Sequence, residues 1–92
     1  MTRLDDTARS EFLDAHPGWD LDGEEIRRTY EFDDFAGAMG FTVKVALAAE
    51  VADHHPDIDI RWNKVTLVLS THSEKALTEK DTALAAEFDD LA

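Results

Sequence analysis

No cysteine occurs in the 92 residues, which excludes a disulfide frame and a thiolate metal site. Proline appears twice and glycine four times, too few for a low-complexity chain and enough to punctuate a handful of turns. Basic residues are scarce, 9 Lys and Arg against 21 Asp and Glu, for a formal net charge of −12. Such a surface repels polyanions, and the one basic pair, Arg27-Arg28, divides between opposite faces if it lies on a strand, so no nucleic-acid partner is expected. No apolar run approaches the roughly 20 residues of a membrane span. No membrane partner is expected, and without a basic, apolar leader the expected compartment is the cytoplasm.

The acidity, spread along the chain rather than gathered in a tail, reads as a solvated surface adapted to a saline cytosol. Its self-repulsion should then be relieved in molar KCl, where the Debye length falls to about 3 Å. Chemical denaturation showing no gain in stability between low and molar KCl would count against this halophilic reading.

One domain with one core, spanning residues 1–92, is expected from the length. Residues 4–15 place Leu4, Ala8, Phe12 and Ala15 at helical spacing behind acidic residues suited to a helix start, and His16-Pro17-Gly18 stops them. His16 reads as a surface loop residue. Trp19 and Leu21, a turn at Gly23-Glu24, and the alternation Ile26, Arg28, Tyr30, Phe32 predict a first hairpin. Asp33-Asp34 caps a long helix reaching about Asp53, with Phe35, Ala38, Met39, Thr42, Val43, Ala46, Leu47 and Ala49 on its apolar face.

A second hairpin follows: Ile58, Ile60 and Trp62 alternate with charged residues, as do Val65, Leu67 and Leu69 with Thr66, Val68 and Ser70. A two-residue loop at Asn63-Lys64 pairs Trp62 with Val65, Ile60 with Leu67 and Ile58 with Leu69, and puts His55, or with a bulge at Pro56 His54, opposite His72. After a loop from Ser73 to Leu77, Thr78 with Asp81 forms a capping box for a last helix carrying Leu84, Ala85, Phe88 and Leu91. The fold class is α+β, order α-β-β-α-β-β-α, a four-stranded antiparallel sheet with three helices on one face.

Three of the four histidines, His54, His55 and His72, fall between Glu50 and Asp81, with Glu50, Asp53 and Asp81 as nearby carboxylates. Imidazoles that titrate close to neutral pH can donate and accept protons in one cycle. As alternatives, His54-His55-Pro56 is a helix stop and Asp81 a capping residue only. A metal site is disfavoured because adjacent histidines diverge and no HExxH or cysteine frame is present.

The spacing Glu50-x3-His54-His55-Pro56, five residues to Trp62, nine to His72 and eight to Asp81 resembles the signature of the pterin-4a-carbinolamine dehydratases. Gly18-Trp19, Phe32-Asp33-Asp34-Phe35, Ser70-Thr71-His72 and Leu77-Thr78-x-x-Asp81 extend the resemblance from about residue 17 to the end. The resemblance implies a hydro-lyase converting 4a-hydroxytetrahydropterin to quinonoid dihydropterin and water, without metal or organic cofactor, in tetrahydropterin recycling. His54 and His72 then take the acid and base roles in an unassigned order, and His55 holds the pterin. Glu50, Asp53 and Asp81 orient or charge-tune the imidazoles, and Ser70 and Thr71 contact the ring.

Two departures stand out: Ser73-Glu74-Lys75-Ala76 replaces a usual Gly-Gly pair, and Trp62 stands where Tyr is common. A homodimer or homotetramer is expected. The alternatives are a non-catalytic protein-binding or dimerisation partner acting through a helix, and a role in another pterin pathway such as that of molybdopterin.

Overall fold

A computed structural model describes residues 2–92. The elements run α1 (Asp6–Ala15), β1 (Asp20–Asp22), β2 (Glu25–Glu31), α2 (Phe35–Ala52), β3 (Asp57–Arg61), β4 (Lys64–Leu69), a single 3-10 turn (His72–Glu74) and α3 (Glu79–Leu91). The sheet is antiparallel with order β1-β2-β4-β3. Strands β2 and β4 join the two hairpins at its centre, pairing Ile26 with Leu69, Arg28 with Leu67 and Tyr30 with Val65. Period-2 alternation aims Ile26, Tyr30, Val65, Leu67 and Leu69 into one core with Trp19, Ala38, Phe41, Val45, Leu77, Leu84, Ala85 and Phe88. On the opposite face, the Thr29 and Thr66 hydroxyls bond at 2.8 Å.

Three expectations need correction. The helix α1 starts at Asp6, capped by the Asp5 side chain; Phe12 and Leu13 pack half-buried against the core, and the side chain it buries most fully is Arg9. Leu4 precedes the helix and donates its amide to the Leu77 carbonyl at 2.9 Å. Buried Arg9 bonds the carbonyls of Leu4 and Gly23 and the Glu24 carboxylate, which satisfies a guanidinium that burial would otherwise penalise.

The second correction concerns α2, which is apolar on two faces. Ala38, Phe41, Val45 and Ala49 pack against the core, whereas Phe35, Met39, Val43, Leu47 and Val51 face solvent. The expected single face mixed these two stripes, because a helix apolar nearly all round carries no directional signal. By length and composition α2 is also apolar enough to cross a membrane, contrary to the expectation that no such run exists. Its inner face packs as a core helix does.

Third, the β3–β4 register slips by two residues. The loop is Trp62-Asn63, so that Arg61 pairs with Lys64, Ile60 with Val65 and Ile58 with Leu67. An even slip keeps every side chain on its expected face, but it takes Trp62 out of the strand. Trp62 sits in the turn with φ of 51° and is 67% exposed. The cause is Asn63: it is buried, and its side chain and backbone both bond Phe32 at the end of β2, at 2.8 and 2.9 Å.

Glu24, in the first turn, ties the chain's beginning to the strand end behind β4. It accepts from Arg9, Arg3 and the Leu77 amide, while its carbonyl accepts from the Ser70 hydroxyl at 2.7 Å. The Arg9 and Arg3 hydrogen bonds hold its carboxyl down from 4.5 to about 2. A carboxyl depressed on folding contributes stability that is complete above its unfolded value and lost as pH falls through the folded one. Stability should therefore drop between pH 4.5 and 2, and Glu24→Gln should flatten that part of an acid-denaturation curve. An unchanged slope in the variant would remove Glu24 from the account.

Candidate active site

The site forms where α2 ends. Asp53 closes the helix in the left-handed conformation, φ 50°, a turn that Asp tolerates better than most residues. Its reversal separates the next two histidines. His54 turns toward α3, where its Nε2 meets Asp81 Oδ1 at 2.5 Å, and His55 turns back over the helix, where its Nε2 meets Glu50 Oε2 at 2.5 Å. Glu50 thus partners His55, not the His54 that sits one turn along in sequence. This second pair is exposed on both sides, so it contributes little to stability.

Asp81 is fully buried. Its Oδ2 accepts from the Thr78 amide at 2.9 Å and the Thr71 hydroxyl at 2.8 Å. Thr71 has one hydroxyl hydrogen, already given to Asp81, so in its 2.7 Å contact with Thr78 it must accept. Thr78 Oγ1 in turn accepts from the Lys80 amide at 3.3 Å. The donors therefore run one way, from Lys80 N–H through Thr78 and Thr71 to Asp81. Asp81 is both the reciprocal cap of α3 and the acceptor that fixes the His54 ring. Because Nε2 is committed to Asp81, Nδ1 is the nitrogen left for a ligand.

The turn His72–Glu74 follows Thr71, and the Thr71–Ala76 bridge closes the loop. His72 is exposed, and its imidazole makes no hydrogen bond among the described residues. The slipped register sets His54 against Thr71 and His55 against Ser70 if it is continued outward, so the expected facing of His55, or His54, with His72 across the ladder does not occur. All three histidines nevertheless line one hollow of about 260 Å³ with Asp53, Ser70, Thr71, Ser73 and Lys80, a little below the usual size of ligand sites. A larger hollow of about 430 Å³, between Phe12 and α3, presents no imidazole.

The hydroxyls of Ser70 and Thr71 both donate inside the protein, to Glu24 and Asp81, so neither offers its hydrogen to a ligand. In the loop that lacks the Gly-Gly pair, Lys75 takes φ of 51°. A glycine would hold that conformation without steric cost. His16 is no free surface residue either: its Nδ1 bonds Asp89 at 3.0 Å. In the sequence Lys80 reads as one more first-turn residue of α3. Only the fold brings it to the His54 hollow. Among the described residues, no three His, Cys, Asp or Glu side chains converge as metal ligands.

A family model described as Pterin 4 alpha carbinolamine dehydratase matches residues 2–91. A protein of Roseiflexus sp. (strain RS-1) bearing the pterin-4-alpha-carbinolamine dehydratase name is 50% identical over 90 residues, 98% of this chain and 97% of its own. One from Thermomicrobium roseum, bearing the same name, is 48% identical over 92 residues, covering 100% of this chain and 99% of its own. The crystal structure of a transcriptional coactivator/pterin dehydratase from Brucella melitensis matches with a TM-score of 0.93 and 40% identity over 99% of each chain. A pterin dehydratase-like RuBisCO assembly factor of the alpha-carboxysome shares the fold, at a TM-score of 0.68 and 23% identity over 80% of this chain and 86% of its own. With this match over almost its whole length, and the histidines at the spacing and in the single hollow described, the chain belongs to the pterin 4 alpha carbinolamine dehydratases, a family of hydro-lyases.

Proposed function

We propose that this protein dehydrates 4a-hydroxytetrahydropterin to quinonoid dihydropterin by histidine acid–base catalysis, in tetrahydropterin recycling. The C4a–O bond breaks as the N5 lone pair moves toward C4a. The departing oxygen takes one proton and leaves as water, and the resulting cation loses one proton, so the reaction is proton-neutral. The observation that carries the proposal is the fixed His54 ring: Asp81 holds Nε2, and Nδ1 remains to exchange a proton in the hollow that His72 also lines. His54 and His72 divide the acid and base roles. His55, steadied by Glu50, holds the ring in place with Asp53. The test is the dehydration of freshly generated 4a-hydroxytetrahydropterin, followed by ultraviolet absorbance in molar KCl. A folded wild type that fails to accelerate it refutes the proposal.

The same reading includes self-association, as a homodimer or homotetramer. Phe35, Met39, Val43, Leu47 and Val51 recur every fourth residue along α2, with Leu47 64% and Val51 90% exposed, and a ridge of i, i+4 side chains is what a second helix interdigitates with. Leu47→Glu should convert the assembly to monomer in sedimentation analysis without loss of helicity. A wild type already monomeric at about 100 μM would sink this part. The second reading, a binding partner for another protein, rests on the same stripe and on the coactivator name of the Brucella relative. It predicts lost partner binding in Leu47→Glu but not in His54→Ala. The acidic surface remains proposed as an adaptation to a saline cytosol, with the KCl denaturation as its test.

A further inference from the structure

The loop that carries His72 is held at both of its ends by one residue of the β1–β2 turn. The register that pairs Ile26 with Leu69 brings Glu24, two residues earlier, level with Thr71. On the near stem the Ser70 hydroxyl donates to the Glu24 carbonyl at 2.7 Å, and on the far stem the Leu77 amide donates to the Glu24 carboxylate at 3.2 Å. Between these two points Thr71 and Ala76 exchange backbone hydrogen bonds of 3.0 and 3.3 Å. Only residues 72–75 lie beyond that bridge, all of them exposed. Because the His72 imidazole has no hydrogen bond of its own among the described residues, the stems beneath it set where it points.

The Glu24 carboxylate is itself fixed. Buried Arg9 reaches the oxygen that takes the Leu77 amide, at 2.7 Å, and Arg3 reaches both oxygens at 3.0 Å. Arg9 is set in turn by the carbonyls of Leu4 and Gly23, and the Leu4 amide donates to the Leu77 carbonyl at 2.9 Å. None of Glu24, Arg3 and Arg9 lines the histidine hollow, yet together they grip a main-chain amide of the loop that does. We propose that Glu24 is a positioning residue for the dehydration: its carboxylate fixes the far stem at Leu77 and so the direction in which His72 enters the hollow. A reacting group displaced by about 1 Å can cost about 10²-fold, which gives such a clasp its leverage. The Ser70 anchor is main chain on the Glu24 side and survives substitution there, so a changed side chain releases the far stem alone. This inference rests on the dehydratase reading.

The experiment measures kcat and KM for 4a-hydroxytetrahydropterin in wild type, Glu24→Ala, Glu24→Gln, His72→Ala and the double variant Glu24→Ala with His72→Ala. Glu24→Ala should lower kcat/KM about tenfold, the range for losing one hydrogen bond to a charged group, with KM raised as well as kcat lowered. Glu24→Gln gives up the charge but keeps an oxygen for the Leu77 amide, so it should lose stability and still retain about half or more of the wild-type kcat/KM. In the His72→Ala background, Glu24→Ala should change the residual rate by less than about twofold, because two residues acting through one group are not additive. A role in stability alone predicts otherwise: kcat falls with the folded fraction at constant KM, Gln is as impaired as Ala, and the full loss recurs without His72. Any of these three results overturns the proposal. A folded wild type that does not accelerate the reaction fails differently: it overturns the dehydratase reading and the role of Glu24 with it.

Discussion

His54→Ala and His72→Ala should each lower the rate of dehydration above background by about 10²- to 10⁴-fold, the range contributed by a positioned general acid or base. The two losses arise from different causes. His54 has its Nε2 bonded to Asp81 at 2.5 Å, so its ring is set before substrate arrives. His72 has no such partner and is exposed, so its orientation depends on the substrate, and its loss should appear in KM as well as in kcat. Asp81→Asn should lie between wild type and His54→Ala, at about 10²-fold, because an amide supplies hydrogens where Thr71, Thr78 and His54 all need an acceptor. Single-turnover absorbance traces, with circular dichroism to show that each variant is folded, give these numbers. A His54→Ala variant keeping more than about a tenth of the wild-type rate would exclude it from proton transfer.

Asp89→Ala should be the most destabilising single change away from the site. This carboxylate, on α3, accepts from four side chains: Tyr30 at 2.5 Å, His16 at 3.0 Å, Arg28 at 3.0 Å and Trp19 at 3.1 Å. These donors come from the end of α1, from the residue before β1 and from β2, so one side chain pins three parts of the chain to the last helix. Burial first, and then the Asp89 hydrogen bond, push the Tyr30 phenol above the ordinary range, so it stays a neutral donor.

Removing the acceptor leaves those donors unpaired, beside a guanidinium without its counter-charge, and breaking a buried pair from one side costs about 3–5 kcal/mol. The Asp89 side chain is 17% exposed, so water recovers part of this and the lower end is expected. Against a total stability of about 5–14 kcal/mol for a domain of this length, that is a large fraction, equivalent to a fall in Tm of about 12–24 °C. Urea denaturation should show a lowered midpoint at unchanged slope. Asp89→Asn, which keeps one acceptor oxygen, should lose roughly half as much. A loss below about 1 kcal/mol in Asp89→Ala would show that these contacts are replaceable by water.

Both predictions rest on carboxylates that the sequence treats unequally. Asp81 stands three residues after Thr78, a local pattern that announces a cap, and its spacing from the histidines is part of the same legible signature. Asp89 is one of many acidic residues on a short helix. Its partners lie 59 to 73 residues away in the chain, and no local pattern connects them.

Local pattern alone determined the order of elements, the turn at Gly23-Glu24, the caps of α2 and α3, and the even faces of the strands. Each depends on residues within a few positions of one another, so period and turn chemistry suffice. The histidine spacing was equally legible. Only the tertiary structure decided the rest. Asn63 bonded Phe32 across the sheet and moved a loop by one residue. The left-handed Asp53 parted His54 from His55 and gave Glu50 to the latter. The α2 helix, apolar on two faces, took its inner face from the position of the sheet, leaving Phe35, Met39, Val43, Leu47 and Val51 outward. Lys80 became part of the site because α3 crosses the end of α2. In each case the deciding partner is distant in sequence, and a buried hydrogen bond or a packed face outweighs a local preference worth a few tenths of a kcal/mol to about 1 kcal/mol.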